Sequence, residues 1–219
     1  MAEAYFGRLL TAMVTPFNAD GSVNCEAAAD FAEWLLANGS DGLVVEGSTG
    51  EAATMFMDEK IAVLKAVVER VNGRAPVIVG AGTNCTASTL ELINAVEACG
   101  VDGLLVVGPY YNKPTQEGYY QHFAAVAKST SLPIIVYNVP GRTGSNIEPK
   151  TIARLAAEFP NIVAVKEAAG NVAQTAELFR VLPENVTIYS GDDGLILPFM
   201  SVGARGVISV LGNIGGQML

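Results

Sequence analysis

The 219-residue chain has one histidine and three cysteines. A single histidine excludes a histidine-rich metal centre built within the chain. Cys25, Cys85 and Cys99 show no C-x-x-C spacing, and an odd count fits free thiols in a reducing compartment. Each is read as a small core or helix residue and not as a nucleophile. Charge is scarce: charged residues are 16% of the chain, and 13 Lys+Arg against 22 Asp+Glu leave a net charge of −9. A field of that sign repels polyanions and argues against nucleic acid or an anionic membrane as partner. No apolar run approaches the roughly 20 residues of a membrane helix. The first one, Leu9 to Val14, is ended by Pro16 and has the length of a strand. No secretory signal is read there, and the chain is expected to be soluble and cytoplasmic. Gly80-Ala81-Gly82-Thr83-Asn84-Cys85 lacks the third glycine of a dinucleotide fingerprint, and no G-x-x-x-x-G-K phosphate loop occurs.

What is abundant is small and aliphatic. Hydrophobic residues are 50% and aromatics only 7%, with a mean hydropathy of +0.35. Short apolar runs read as strands: Leu10–Val14, Gly42–Glu46, Pro76–Gly80, Gly103–Val107, Ile134–Asn138, Val163–Lys166, Thr187–Ser190 and Val207–Val210. Stretches of helical period lie between them. From Asp58 to Val71 the residues Ile61, Leu64, Val67, Val68 and Val71 form one stripe, with Asp58 as expected N-cap and Gly73 as stop. Asn24, Thr86, Thr115 and Pro149 stand near the starts of other helices.

Three segments repeat a pattern: Gly39-Ser40-Asp41-Gly42, Gly100-Val101-Asp102-Gly103 and Gly203-Ala204-Arg205-Gly206, each followed by two apolar residues. The first glycine closes a helix and the second opens a strand, so one αβ turn is reused. Eight strands alternating with helices, without a linker, favour a single (β/α)8 barrel domain over residues 1–219. After the eighth strand, Leu211 to Leu219 are too few and too glycine-rich for a helix. The expectation is a barrel truncated there, with apolar strand faces left uncovered at about 25 cal/mol per Å².

In such a barrel the residues after each strand face the pocket. Lys166 ends the run Ile162-Val163-Ala164-Val165, and the strand period places it on the face of Ile162 and Ala164. An ammonium in an apolar interior is disfavoured, and the free amine can attack a ketone to form a Schiff base. The alternative is a strand-end lysine paired with Glu46, Glu167 or Asp192. Tyr137, ending the preceding strand, is either a proton carrier beside that amine or a core tyrosine whose hydroxyl reaches the rim. Ser48 and Thr49 sit in a glycine-flanked turn that either holds a carboxylate or is ordinary turn chemistry. Arg142 is either a carboxylate clamp or a solvated loop residue. His122 falls inside a helix and is expected at a surface or interface, and Asp192-Asp193 makes a weak metal case.

Six segments carry a resemblance. Gly47-Ser48-Thr49-Gly50-Glu51, Pro109-Tyr110-Tyr111-Asn112-Lys113-Pro114, Tyr137-Asn138-Val139-Pro140-Gly141-Arg142-Thr143-Gly144, Val165-Lys166-Glu167-Ala168, Ser190-Gly191-Asp192-Asp193 and Gly206-Val207-Ile208-Ser209 occur in order. Together they resemble the dihydrodipicolinate synthase and N-acetylneuraminate lyase family of class I aldolases. The resemblance implies a TIM barrel in which Lys166 forms an imine with pyruvate, with no cofactor and no metal. It makes Tyr137 the proton donor and acceptor, in a hydroxyl relay with Ser48 and a Tyr111 that crosses from a neighbouring subunit. A functional site then implies a dimer or a dimer of dimers. Thr49 and Ile208 would hold the pyruvate carboxylate, and Gly191 joins the substrate-binding set. Arg142 would receive the carboxylate of L-aspartate-4-semialdehyde, in the first committed step of diaminopimelate and lysine synthesis.

The arginine and the paired tyrosines resemble the synthases, whereas Gly-Ser-Thr-Gly-Glu is common among the lyases. A lyase or 2-keto-3-deoxy sugar acid aldolase is the alternative, and an inactive shortened barrel another. The family's lysine-inhibition site falls near Ala52, Met57, Lys60, Asn84, Ser88 and Tyr110. A cation at Lys60 and no carboxylate at Ser88 imply weak or absent feedback.

Overall fold

In a computed structural model that describes residues 4–219, the apolar runs become β1 (Leu9–Ala12), β2 (Gly42–Val45), β3 (Val77–Gly80), β4 (Gly103–Val107), β5 (Ile134–Asn138), β6 (Ile162–Glu167), β7 (Thr187–Ser190) and β8 (Gly206–Ser209). They pair in parallel in sequence order, and β8 closes on β1 through Leu10 opposite Ile208. This is the expected TIM barrel. The helices among the described residues are α1 (Cys25–Ala37), α2 (Met57–Val71), α3 (Thr86–Glu97), α4 (Gln116–Ser129), α5 (Pro140–Thr143), α6 (Pro149–Glu158), α7 (Val172–Val181), α8 (Ile196–Ser201) and α9 (Gly212–Gly215).

Strand alternation sorts the core into two layers. Leu43, Val45, Val77, Val79, Leu104 and Val106 face outward and pack with helix residues such as Leu64, Ile93 and Phe123. Leu10, Val44, Ile78, Leu105, Ile135 and Ile208 fill the barrel interior. Both faces of each strand are therefore dry, which is why the strand segments read as continuous apolar runs. Each buried aliphatic side chain contributes about 1.5–3 kcal/mol.

The repeated glycines act at both ends of the αβ turn. Gly39, Gly100 and Gly203 have φ of +105°, +79° and +110°, the left-handed region open to glycine. Gly42 and Gly103 start strands where a Cβ would lie 2.9 Å from Leu10 and 2.7 Å from Phe6, so they leave room for these two buried side chains.

The helix starts mostly follow expectation. The Asn24 side chain accepts from the Ala27 N–H (2.9 Å) and Thr115 from that of Gly118 (3.1 Å), while Pro149 is the first residue of α6. The start of α2 differs: it begins at Met57, and the Glu59 carboxylate reaches back to accept the Phe56 N–H at 2.8 Å. Asp58 therefore lies inside the first turn, where its charge suits the helix dipole, and does not cap it. α2 is capped at its other end by Asn72 (φ +47°), one residue before Gly73.

One detail of the tail also differs from expectation. Residues after β8 do form helix: the single turn α9, then a 3₁₀ turn over Gly216–Met218. The Asp193 carboxylate accepts the N–H groups of Val210 (3.0 Å) and Leu211 (2.8 Å), and Ser209 accepts that of Gly212 (2.9 Å). The glycines help, because a Cβ on Gly212 would strike Thr11 and one on Gly216 would lie 2.6 Å from the Asn38 carbonyl. Asn213 then ties the tail to β1, donating to the Ala12 carbonyl at 2.8 Å. Leu9 and Val207, which open β1 and lie in β8, are buried.

Candidate active site

Lys166 and Tyr137 are opposite each other in the β5–β6 register and both belong to the barrel interior. The lysine is 5% exposed, and its Nζ lies 4.4 Å from the centre of the Tyr137 ring. The route to that position differs from simple alternation. A bulge after Ile134–Ile162 makes Ala164, not Val163, the partner of Ile135. Ile162 packs in the outer layer while Val163 and Ala164 belong to the inner one. Lys166 thus shares a face with Ala164, as expected, but not with Ile162, because the extra residue reverses the alternation once.

None of the carboxylates weighed as an ion-pair partner reaches the amine. Glu167 turns to the other face, Asp192 Oδ1 accepts the Gly194 N–H (2.9 Å), and among the described residues no salt bridge involves Lys166. Burial, reinforced by the positive Arg142 and opposed by Asp193, lowers its pKa to about 8. A usable fraction of free amine is therefore present near neutral pH. Burial raises the Tyr137 phenol, while Arg142 and the nearby Ser48 hydroxyl pull it back.

Loops at the carboxyl ends of the strands complete the site. The Gly47–Glu51 turn follows β2 and is pinned by Thr15, whose hydroxyl donates to the Gly50 carbonyl at 2.6 Å. It presents Ser48, exposed, and Thr49, half-buried. Gly191 follows β7, where a Cβ would lie 3.1 Å from Lys166 Cε and 2.7 Å from Ala168 Cβ. Glycine there leaves room for the lysine stem. Ile208 is fully buried at β8. Arg142, on α5, is exposed. Ser48, Tyr137, Arg142 and Tyr110 share the lining of a cavity of about 300 Å³, whereas Lys166, Thr49, Gly191 and Ile208 do not line it. Tyr111 lies outside altogether: it is 86% exposed, in a left-handed backbone conformation at φ +70°. Its N–H donates to the Thr143 carbonyl at 3.2 Å, which fastens its loop to the turn carrying Arg142.

Two buried features were not foreseen. Glu46, read only as a possible partner for Lys166, is 2% exposed with both carboxylate oxygens unpartnered. Burial pushes its pKa up to about 8, against a modest pull from Lys60, and both residues line the cavity. The second is a polar cluster on the outer face: Asn138, Asn146, Glu167 and Gln174. A carboxylate or amide at the end of an otherwise apolar run was the available signal for each. His122 also departs from expectation, being buried with Nδ1 2.9 Å from the Thr86 hydroxyl and its pKa lowered to about 4 by burial. Cys85 is exposed at the N-cap of α3 and is neither a core nor a helix residue. Among the described residues no group of three metal-ligating side chains gathers, and no helix is long and apolar enough to cross a membrane.

Residues 5–219 match the Dihydrodipicolinate synthetase family. The 4-hydroxy-tetrahydrodipicolinate synthase of Desulforamulus reducens is 54% identical over 219 residues, covering 100% of this chain and 74% of the relative. The crystal structure of dihydrodipicolinate synthase from Bacillus anthracis superposes with a TM-score of 0.94 at 45% identity, covering 97% of this chain and 72% of that one. The enzyme from Cyanidioschyzon merolae, solved with lysine bound, gives a TM-score of 0.96 at 44% identity, covering 98% and 73%.

Proposed function

The chain belongs to the dihydrodipicolinate synthetase family, and from that premise we infer that it is a Schiff-base lyase of lysine and diaminopimelate biosynthesis. It condenses pyruvate with L-aspartate-4-semialdehyde to give 4-hydroxy-tetrahydrodipicolinate. The observation that carries the chemistry is the unpaired, buried amine of Lys166 beside the Tyr137 phenol.

In the proposed sequence the Lys166 nitrogen attacks C2 of pyruvate, and the carbinolamine loses water to form the imine. Loss of a C3 proton then gives an enamine, whose C3 adds to the aldehyde carbon of the semialdehyde. The amino group of the second substrate finally attacks the imine carbon, closing the ring and releasing Lys166. Every step uses the covalent bond to the lysine, so the proposed reaction needs no separate cofactor. Tyr137 carries protons to and from the nitrogen and oxygen, with Ser48 next in the relay. Thr49 and the backbone at Ile208 and Gly191 receive pyruvate, and Arg142 receives the semialdehyde carboxylate through charge-assisted hydrogen bonds.

Tyr111 is exposed and does not line the cavity of its own chain. We assign it to the relay of a second copy of the chain, which makes the working unit at least a dimer. The test is borohydride reduction in the presence of pyruvate. The intact protein should gain the mass of reduced pyruvate on Lys166, and Lys166→Ala should gain nothing. An unmodified wild-type chain would overturn the assignment.

A further inference from the structure

The rung beyond Tyr137–Lys166 is Asn138–Glu167, and it faces the opposite side of the sheet. Glu167 is fully buried. Its carboxylate accepts from Asn138 Nδ2 (3.1 and 3.2 Å), Gln174 Nε2 (3.2 Å) and the Ala169 N–H (2.7 Å). Every partner is a donor. That suits the ionised, acceptor-only form of the side chain, although burial pulls its pKa upward.

Asn138 passes this on. Its Oδ1 accepts the Ile147 N–H at 3.0 Å, and its Nδ2 also donates to Asn146 Oδ1 at 2.9 Å. Both bonds close the loop 139–147 back onto the end of β5, and that loop contains α5 and Arg142. Gln174 braces the same point, accepting from Asn146 Nδ2 at 2.8 Å. The carboxylate of Glu167 fixes which way the Asn138 amide faces, and the amide in turn staples the loop. On the backbone side, the Glu167 carbonyl accepts the Gly191 N–H at 2.8 Å, beside the Lys166 stem.

We propose that Glu167 is a positioning residue for the second substrate: through Asn138 and Asn146 it sets the Arg142 loop against the Lys166–Tyr137 rung. The inference rests on the aldolase reading above. It separates two functions, since attack on pyruvate needs Lys166 and Tyr137, whereas capture of the semialdehyde needs Arg142 in register with them.

Glu167→Gln places an N–H among donors and should disturb the loop while keeping the side-chain volume. It should retain the borohydride-trapped pyruvate adduct, leave KM for pyruvate within about twofold, and raise KM for the semialdehyde by roughly tenfold or more. In the double variant Glu167→Gln/Gln174→Glu the new amide has a carboxylate to donate to, and Asn146 keeps an acceptor. The semialdehyde KM should return to within about threefold of wild type. Asn146→Ala cuts the staple without touching Glu167 and should show the same selective rise, which covers the case of a Glu167→Gln chain that does not fold. A purely structural role would lower thermal stability or move both KM values together. Equal changes in the two KM values, or a folded double variant that recovers nothing, would overturn the positioning role. Absence of the pyruvate adduct from the wild-type chain would remove both this inference and the aldolase reading.

Discussion

The Lys166 nitrogen lies 4.4 Å from the centre of the Tyr137 ring, on the adjacent strand and in the same rung. Parallel pairing brings two residues 29 positions apart in the chain side by side, with the amine over the aromatic face and, among the described residues, no salt bridge to it. The reactivity of the lysine follows from its surroundings and is open to titration.

The rate of borohydride-trapped imine formation should rise with pH and level off above about 8, because below that value the Lys166 nitrogen carries its extra proton. Arg142 lowers this pKa and Asp193 raises it. Asp193→Asn should therefore move the midpoint to lower pH. A midpoint near that of a free lysine would contradict the burial argument.

Arg142→Ala should raise KM for the semialdehyde by roughly tenfold to a hundredfold, the loss of a charge-assisted contact. The pyruvate adduct should persist, and its pH midpoint should move upward as the neighbouring cation is removed. Steady-state kinetics with each substrate varied in turn decides this, and a sugar-acid aldolase would show little change.

Complementation tests the shared relay. Tyr111→Phe and Tyr137→Phe should each be impaired alone. When the two are mixed and allowed to exchange subunits, a heterodimer gains one site with both tyrosines, so roughly a quarter of all sites recover under random pairing. Activity that stays at the sum of the two separate variants would place Tyr111 outside the relay.

Glu46 makes stability depend on pH. Its folded pKa of about 8 stands above the ordinary 4.5, so the fold keeps a proton that the unfolded chain has already released. Stability should be greatest below about 4.5 for this group and fall as pH rises towards 8, by at most about 1.4 kcal/mol per pH unit. Thermal unfolding of Glu46→Gln should show a flatter profile and a higher Tm at alkaline pH. A slope identical to wild type would assign the dependence elsewhere.

Lysine should inhibit weakly or not at all. Lys60 lines the cavity with a positive charge, and Ser88 is an exposed hydroxyl. Half inhibition below roughly millimolar lysine, in an assay at saturating pyruvate, would contradict this charge argument.

Much of this site was legible because its parts sit at punctuated places. Strand ends were marked by a change from apolar to polar, as in Ile134 to Asn138 and Ile162 to Glu167, and both strands occur within two residues of the expected bounds. Gly39, Gly100 and Gly203 announced the reused turn because a positive φ selects glycine locally. The bulge in β6 was hidden, since Ile162, Val163 and Ala164 are apolar on either face. His122 looked like a surface residue because its partner Thr86 is on another helix. The tail's glycines read as helix-breaking, and only their contacts with Thr11 and Asn38 give them a use.

By itself the sequence determined the alternation of strands and helices, the turns between them and the residue types at each strand end, all of which depend on neighbours a few positions apart. Tertiary structure decided which charges were left without partners. Glu46 and Lys166 are both buried titratable groups near the barrel's upper rim, yet one ends in a cavity with a cation and the other over a phenol. A pKa responds to solvent exclusion and to charges across the fold, and those quantities exist only once distant strands have closed into a ring.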